Sequence, residues 1–567
     1  MKASETNLIQ FLSKPDTQFV IPIYQRTYSW TREQCQQLWN DIYRVAHDDK
    51  TPAHFVGSVV YIQEGVYHAS STQQMLVIDG QQRLTTVLLL LVALARALKD
   101  NDALNVSHDQ IFDQFLTNKY AKGDLRYKLI LTQSDKSSLI QLLKGQDLPA
   151  APSLRIKENF EFFEGQIRKS GGDLDTLFNG IKKLLIVDVS LDANHDNPQL
   201  IFESLNSTGL ALSQADLIRN YVLMGLPAQE QNDLYEQYWY PMEQRFGHSQ
   251  YAELFDRFMR DYLTIQSESG TIPNIRDVYT DFKKFTRGKD VREVVKSIAH
   301  YARYFAYLAF PQSYNDKQLQ EVMRYINTLK VDVAYPFLIE VFDDYERHQR
   351  LSRADFLEIL RLVESYVFRR AIVEIPTNSM NKTFATFKRA IDKTDYLNSV
   401  KEALIKLDGY RRFPADREFR QAFMTRNIYT GLTPPRRSYL FNRLENHNHK
   451  EYIDTDKYTI EHIMPQNPNL STEWQMMLGS QWREVQEYYL HTIGNLTLTG
   501  YNAELSDRPF AEKRDMKGGF ADSHLRLNKK LAQLNKWDEN AIKERAETLA
   551  KMALQIWPYP KHEKSED

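Results

Sequence analysis

A chain of 567 residues is too long for one ordinary core, so two or more domains are expected. Its 72 basic and 74 acidic side chains leave a net charge of -2, which excludes a global basic field and confines any nucleic-acid surface to a local patch. The single cysteine, Cys35, excludes an internal disulfide framework and any cysteine-built zinc ribbon.

In chain order, the polar start Met1 to Thr6 lacks the apolar core of a signal peptide. Residues 19–24 read as a strand, and Thr31 caps a helix through about Val45 with Leu38, Trp39 and Ile42 on one face. Residues 55–63 and 75–78 are β-rich, and the Asp79-Gly80 turn leads directly into a long apolar helix. Its most apolar run, residues 87–95, is shorter than the roughly 20 residues a bilayer requires, so it reads as a buried helix of a soluble, cytoplasmic protein without a membrane partner. Residues 184–191 are a further buried-strand candidate. These elements make a mixed α/β domain over 1–225. From 226 to 435 the pattern is helical, with segments at 234–246, 251–263, 291–308 and 356–370, and no fixed-period repeat. Pro434-Pro435 reads as a hinge before a third part, 436–567, which closes on a helix over 540–556.

Two polar clusters flank strands of the first part: Tyr24-Gln25-Arg26 with Trp30, and Asp79-Gly80-Gln81-Gln82-Arg83. The second sets a glycine turn, two amides and an arginine where a helix begins, and a helix N-terminus offers unpaired N–H groups and partial positive charge to a phosphate. Arg83 and Arg26 can add charge-assisted bonds, and Asp79 can orient a water or hold a metal. A plain turn followed by a solvated first helical turn explains the same residues. No Walker-type loop is present. A third cluster, Asn206 to Gly209 followed by Ser213 to Asn220, reads as helix punctuation, with Asn206 a candidate for the nucleotide pocket.

The third part carries Glu461-His462, then Asn495, Asn502 and Lys513. Residues 458–460 and 494–499 read as two strands of a hairpin and 509–515 as the start of a helix, which is a ββα-metal arrangement. An imidazole titrates near neutrality, so His462 is suited to take a proton from water. A strand end with a satisfied histidine explains the Glu461-His462 pair by itself. A basic, aromatic-interleaved stretch precedes this constellation, including Arg411, Arg412, Arg436 and Arg437, and suits a DNA backbone; a solvated helix face paired with nearby acids explains it equally.

These motifs resemble the GmrSD-type restriction endonucleases: the first clusters look like their ParB/sulfiredoxin-like NTPase domain, and residues 458–514 like their HNH nuclease domain. The resemblance implies an α+β protein with an N-terminal α/β NTPase domain, a helical middle and a C-terminal HNH nuclease. It implies that Asn495 fixes the His462 ring, that Glu461 and the Asn502 amide oxygen hold a hard cation, and that Lys513 and His491 meet phosphate. It implies a type IV enzyme of phage defence, in a single-chain layout known from members found with BREX systems. Such an enzyme cuts phage double-stranded DNA bearing glucosylated or hydroxymethylated cytosine, and uses Mg2+ or Mn2+ and a nucleoside triphosphate. Two alternatives are a phosphorothioate-sensing nickase and a nucleotide-switched DNA-binding protein without cleavage. A homodimer would help double-strand cutting, although no interface is legible in the sequence.

Overall fold

A computed structural model describes residues 1–48, 50–63, 72–99, 106–171, 173–192, 195–206, 212–247 and 250–561, without the side chains of Leu205, Asn206 and Ala228. The chain divides into two compact units, residues 1–256 with 282–296 and residues 257–281 with 297–567. The helical stretch expected over 226–435 is therefore shared between them.

The first unit is built on a six-stranded mixed sheet. Its strands are β1 (Lys2–Asn7), β2 (Thr17–Val20), β3 (His54–Gln63), β4 (Gln73–Asp79), β5 (Leu129–Ile130) and β6 (Leu184–Leu191), in the order β1-β6-β3-β4-β2-β5. β2 runs parallel to both β4 and β5, so these three strands deliver their carboxyl ends to one edge. β2 stops at Val20 because Pro22 cannot donate to a ladder, which shortens the strand expected over 19–24. β1 has no counterpart in the sequence reading: it is a polar edge strand paired antiparallel to β6, and polar edges carry no apolar alternation.

Side chains alternate across the pleat. Phe19, Met75, Val77 and Leu129 join the core formed with the helix Gln81–Leu98. That helix is long and apolar enough to cross a membrane by composition, but it lies buried in this core. Gly80 precedes it at φ 97°, and a Cβ there would stand 2.9 Å from the Ser58 carbonyl oxygen. Gly80→Ala is therefore expected to destabilise the unit by about 1–3 kcal/mol, read as a lowered denaturation midpoint with unchanged m-value.

In the second unit the helix Arg353–Ile372 opens with a capping box between Ser352 and Asp355. Its Arg369 is fully buried, donating to the Trp557 carbonyl at 2.7 Å and the Pro414 carbonyl at 2.9 Å, and so ties this helix to the chain's last helix and to residues 413–416. Pro434 and Pro435 form no hinge: they start the helix Pro434–Asn446, where a missing N–H costs nothing. β7 (Thr459–His462) and β8 (Leu496–Thr499) pair antiparallel, with the helices Thr472–Leu478 and Trp482–Tyr489 between them in sequence rather than a hairpin turn. The helix Phe510–Asp515 follows, and Ile463, Met464, Trp474, Phe510 and Trp537 form the core beneath.

Asp261 is buried in this unit, and burial pushes its carboxyl up to about 7 against the pull of Arg260 and Arg257. A raised carboxyl favours folding below the unfolded value of 3.8, and this contribution is lost as pH rises through 7. Asp261→Asn is expected to flatten the pH dependence of unfolding between these limits by on the order of 1 kcal/mol per pH unit, measured by denaturant titration across the window.

Candidate functional site

In the first unit, the carboxyl ends of β2 and β4 bring residues 22–26 and the Asp79–Arg83 turn to the same sheet edge. Two of the expected nucleotide ligands hold these loops together instead of facing a ligand. The Gln25 Nε2 donates to the Ile78 carbonyl at 2.9 Å. The Gln82 Oε1 accepts from the backbone N–H groups of Ser29 at 2.8 Å and Trp30 at 3.2 Å. Arg83 donates to the Ser58 carbonyl at 2.8 Å and lies 3.7 Å from Asp79. Its guanidinium lies against Gly57, where a Cβ would come within 2.7 Å of it.

The groups left over are Arg26, half-buried and without an ion-pair partner among the described residues, and the amide of Gln81 on the first turn of the helix. Asn206 ends the helix Pro198–Asn206, and its side chain lies outside the described residues. Sequence reasoning assigned no role to Arg219 or Asn220. Arg219 is buried and bonds the Tyr24 carbonyl, Glu243 and Asp216. Asn220 is 1% exposed and its Oδ1 accepts no hydrogen bond among the described residues, an unusual state for a buried amide.

In the second unit, strand alternation sends the adjacent Glu461 and His462 to opposite faces of β7. On one face Glu461 Oε1 accepts from Lys513 Nζ at 2.5 Å, and the same amine donates to the His462 carbonyl at 3.0 Å. Burial pushes the Glu461 carboxyl up and the Lys513 amine down, each offset in part by the other. Lys513 is fully buried, so the expectation that it meets a phosphate is corrected: it holds Glu461. On the other face, His462 Nε2 lies 3.0 Å from His491 Nδ1. Tyr429 packs edge-on to His462 at 4.5 Å and stacks on His491 at 5.5 Å, and Arg437 lies 4.7 Å over the Tyr429 ring. Burial, with His491 and Lys513 adding, pushes the His462 imidazole down to about 3 and keeps it neutral at pH 7. His491, expected at DNA, is instead the partner of His462.

Asn495 does not touch the His462 ring. Its Oδ1 accepts from the Met464 N–H at 2.8 Å and Trp537 Nε1 at 3.1 Å, and its Nδ2 donates to the Met464 carbonyl at 3.1 Å and the Leu490 carbonyl at 3.0 Å. It clamps the turn that leaves β7. Asn502 is exposed and donates through Nδ2 to the Ile460 carbonyl at 2.9 Å, while its Oδ1 accepts nothing among the described residues. Among those residues no three His, Cys, Asp or Glu side chains converge on one point. Glu461, expected with Asn502 to hold a hard cation, is buried and bonded to Lys513 on the face of β7 opposite His462, which does not fit a cation site shared with the exposed Asn502 beside that imidazole.

The basic stretch is mostly neutralised. Arg412 pairs with Glu418 and the exposed Arg411 lies 3.8 Å from Asp408, so each has an acid beside it at the surface. Arg436 and Arg437 pair with no carboxylate among the described residues. Arg437, Tyr429, Tyr458, Ile460 and Asn502 line a cavity of about 500 Å3 beside β7.

Residues 8–223 match the family described as GmrSD restriction endonuclease, N-terminal domain, and residues 413–552 match GmrSD restriction endonucleases, C-terminal domain. No curated protein matches the chain.

Proposed function

The chain belongs to the GmrSD restriction endonucleases, and on that premise we propose that it hydrolyses the backbone of base-modified foreign double-stranded DNA with His462 as general base. The observation that carries this is an imidazole held at Nε2 by His491, which leaves Nδ1 to take the proton of the attacking water. Tyr429 and His491 fix the plane of that ring. Arg437 and Arg436 contact flanking phosphates. Asn502, which lines the cavity beside Ile460 and Arg437, would be one ligand of a Mg2+ or Mn2+ ion, which would stabilise charge on the leaving oxygen. Lys513 keeps the Glu461 carboxylate ionised and oriented.

In this reading residues 436–567 act as an HNH nuclease, 226–435 as a helical connector, and 1–225 as a ParB/sulfiredoxin-like domain. That domain binds a nucleoside triphosphate through Arg26, Arg83 and the N-terminus of the helix Gln81–Leu98, and the nucleotide controls cutting. Purified protein is challenged with glucosylated, hydroxymethylated, phosphorothioated and plain plasmid, with Mg2+ and with or without each triphosphate. Linear product from base-modified plasmid only, dependent on a triphosphate, is expected. Equal cutting of plain plasmid, or binding without cutting, contradicts the reading, and open circles from phosphorothioated plasmid alone identify a nickase.

A further inference from the structure

The face of the six-stranded sheet turned away from the Gln81–Leu98 helix carries a second site. Register aligns Ile62 with Leu76, Leu76 with Val20, and Val20 with Ile130, so four aliphatic side chains form one row across β3, β4, β2 and β5. All four are only half-buried, whereas their chain neighbours Tyr61, Met75, Phe19 and Leu129 are in the core. The row is the floor of a cavity of about 1040 Å3, at the upper end of the roughly 300–1,000 Å3 typical of small-molecule sites.

One wall is aromatic for a definable reason. Residues Tyr235–Trp239 form a π-helical turn, closed by the Tyr240 N–H donating to the Tyr235 carbonyl. In an α-helix residues i and i+5 diverge around the axis; here the wider turn sets Tyr235 and Tyr240 on the same face, with ring centroids 6.0 Å apart. The Tyr235 hydroxyl donates to Glu243 at 2.8 Å, so its ring is held in place. The lining also includes Thr132, Gln133 and Ser134 at the start of the helix Gln133–Leu143, and Asn232 on the helix Ala228–Leu234 that leads into the π-turn. The side chains of Thr132, Gln133 and Asn232 make no hydrogen bond among the described residues.

Charge narrows the occupant. Lys136 is the only lysine or arginine among the described residues lining the cavity, and its amine is already 2.6 Å from Asp124. Glu236 adds a negative charge. A triphosphate finds no counter-ion here, so this is not the nucleotide site at the Asp79–Arg83 turn. A flat apolar floor, the exposed Tyr240 ring backed by the buried Tyr235, and amides and hydroxyls in the lining suit an uncharged heteroaromatic ring whose edges form hydrogen bonds, and the volume is far more than a bare pyrimidine fills.

We propose that this cavity receives an extruded base of the target DNA together with the substituent that marks it. Extrusion is how proteins read atoms that the duplex hides, at an unstacking cost that contacts in such a cavity offset. The proposal rests on the reading of the chain as an endonuclease for modified DNA.

The test uses full-length protein and three free nucleosides: 2'-deoxycytidine, 5-hydroxymethyl-2'-deoxycytidine and its glucosylated form. Calorimetric titration is expected to show one modified nucleoside binding at least tenfold more tightly than deoxycytidine. Ser137→Trp, at an exposed position on the rim, and Leu76→Trp, on the floor, fill the cavity and are each expected to weaken that binding at least tenfold. The rim variant carries little risk to folding, checked by circular dichroism. Absence of saturable binding by any nucleoside, or binding unchanged in Ser137→Trp, overturns the proposal. Cleavage of modified plasmid is followed in parallel. If wild type and Ser137→Trp cut it equally, the cavity assignment falls and the nuclease reading stands. If wild type binds the nucleoside in the cavity but cuts no DNA, the nuclease reading falls and the cavity assignment stands.

Discussion

Lys513→Met is expected to destabilise the unit holding residues 297–567 by about 3–5 kcal/mol, because it strands a buried carboxylate. Glu461 is 3% exposed, and Lys513 is the one cation bonded to it among the described residues. Without the amine, desolvation alone acts on the carboxyl and raises it further above its ordinary 4.5. A carboxyl raised in the folded state costs stability above the unfolded value, so the deficit is largest at neutral pH and shrinks as pH falls toward 4.5. The double variant Glu461→Gln/Lys513→Met removes both charges and is expected to recover most of the loss, since the penalty belongs to the unpaired ion and not to the missing pair. Urea denaturation of the four proteins at pH 5 and pH 7.5 reads both effects. Equal stability of Lys513→Met and wild type at pH 7.5 contradicts the ion-pair assignment.

The sequence was most legible where a local signal and the tertiary environment agree. The apolar run at 184–191 is β6 to the residue, and the Asp79-Gly80 turn marks the start of the long core helix. Legibility failed where structure depends on distant partners. β1 is polar and is a strand only because β6 lies beside it. The π-turn at Tyr235–Trp239 leaves no trace in a pattern that reads as continuous helix. The arginines before the nuclease strands suggested a phosphate-binding face, but Arg420 meets Glu547 and Arg443 meets Glu364, acids far away in the chain. The candidate site was half legible. The pairing of an acid with a histidine could be read from adjacency, but β-alternation turns the two to opposite faces, so one joins Lys513 and the other His491. Asn495 was expected to fix the imidazole, but its side chain holds the backbone at Met464 instead.

The largest expected effect on activity comes from His462→Ala. General-base catalysis contributes about 10²–10⁴-fold in rate, and nothing else on that face of β7 replaces a neutral imidazole: His491 contacts the same ring from its far nitrogen, and Tyr429 packs on both. The substitution removes no cation, and Arg436 and Arg437, proposed to contact the DNA backbone, are untouched, so DNA affinity is expected to stay close to that of wild type. His491→Ala is expected to lower the rate less, because it loosens the ring without removing the base. The direct measurement is single-turnover cleavage of base-modified plasmid with Mg2+ and triphosphate by wild type and His462→Ala, alongside DNA affinity for each. A loss of about 10²–10⁴-fold in the cleavage rate with unchanged affinity is predicted; cleavage by His462→Ala at the wild-type rate would contradict the account.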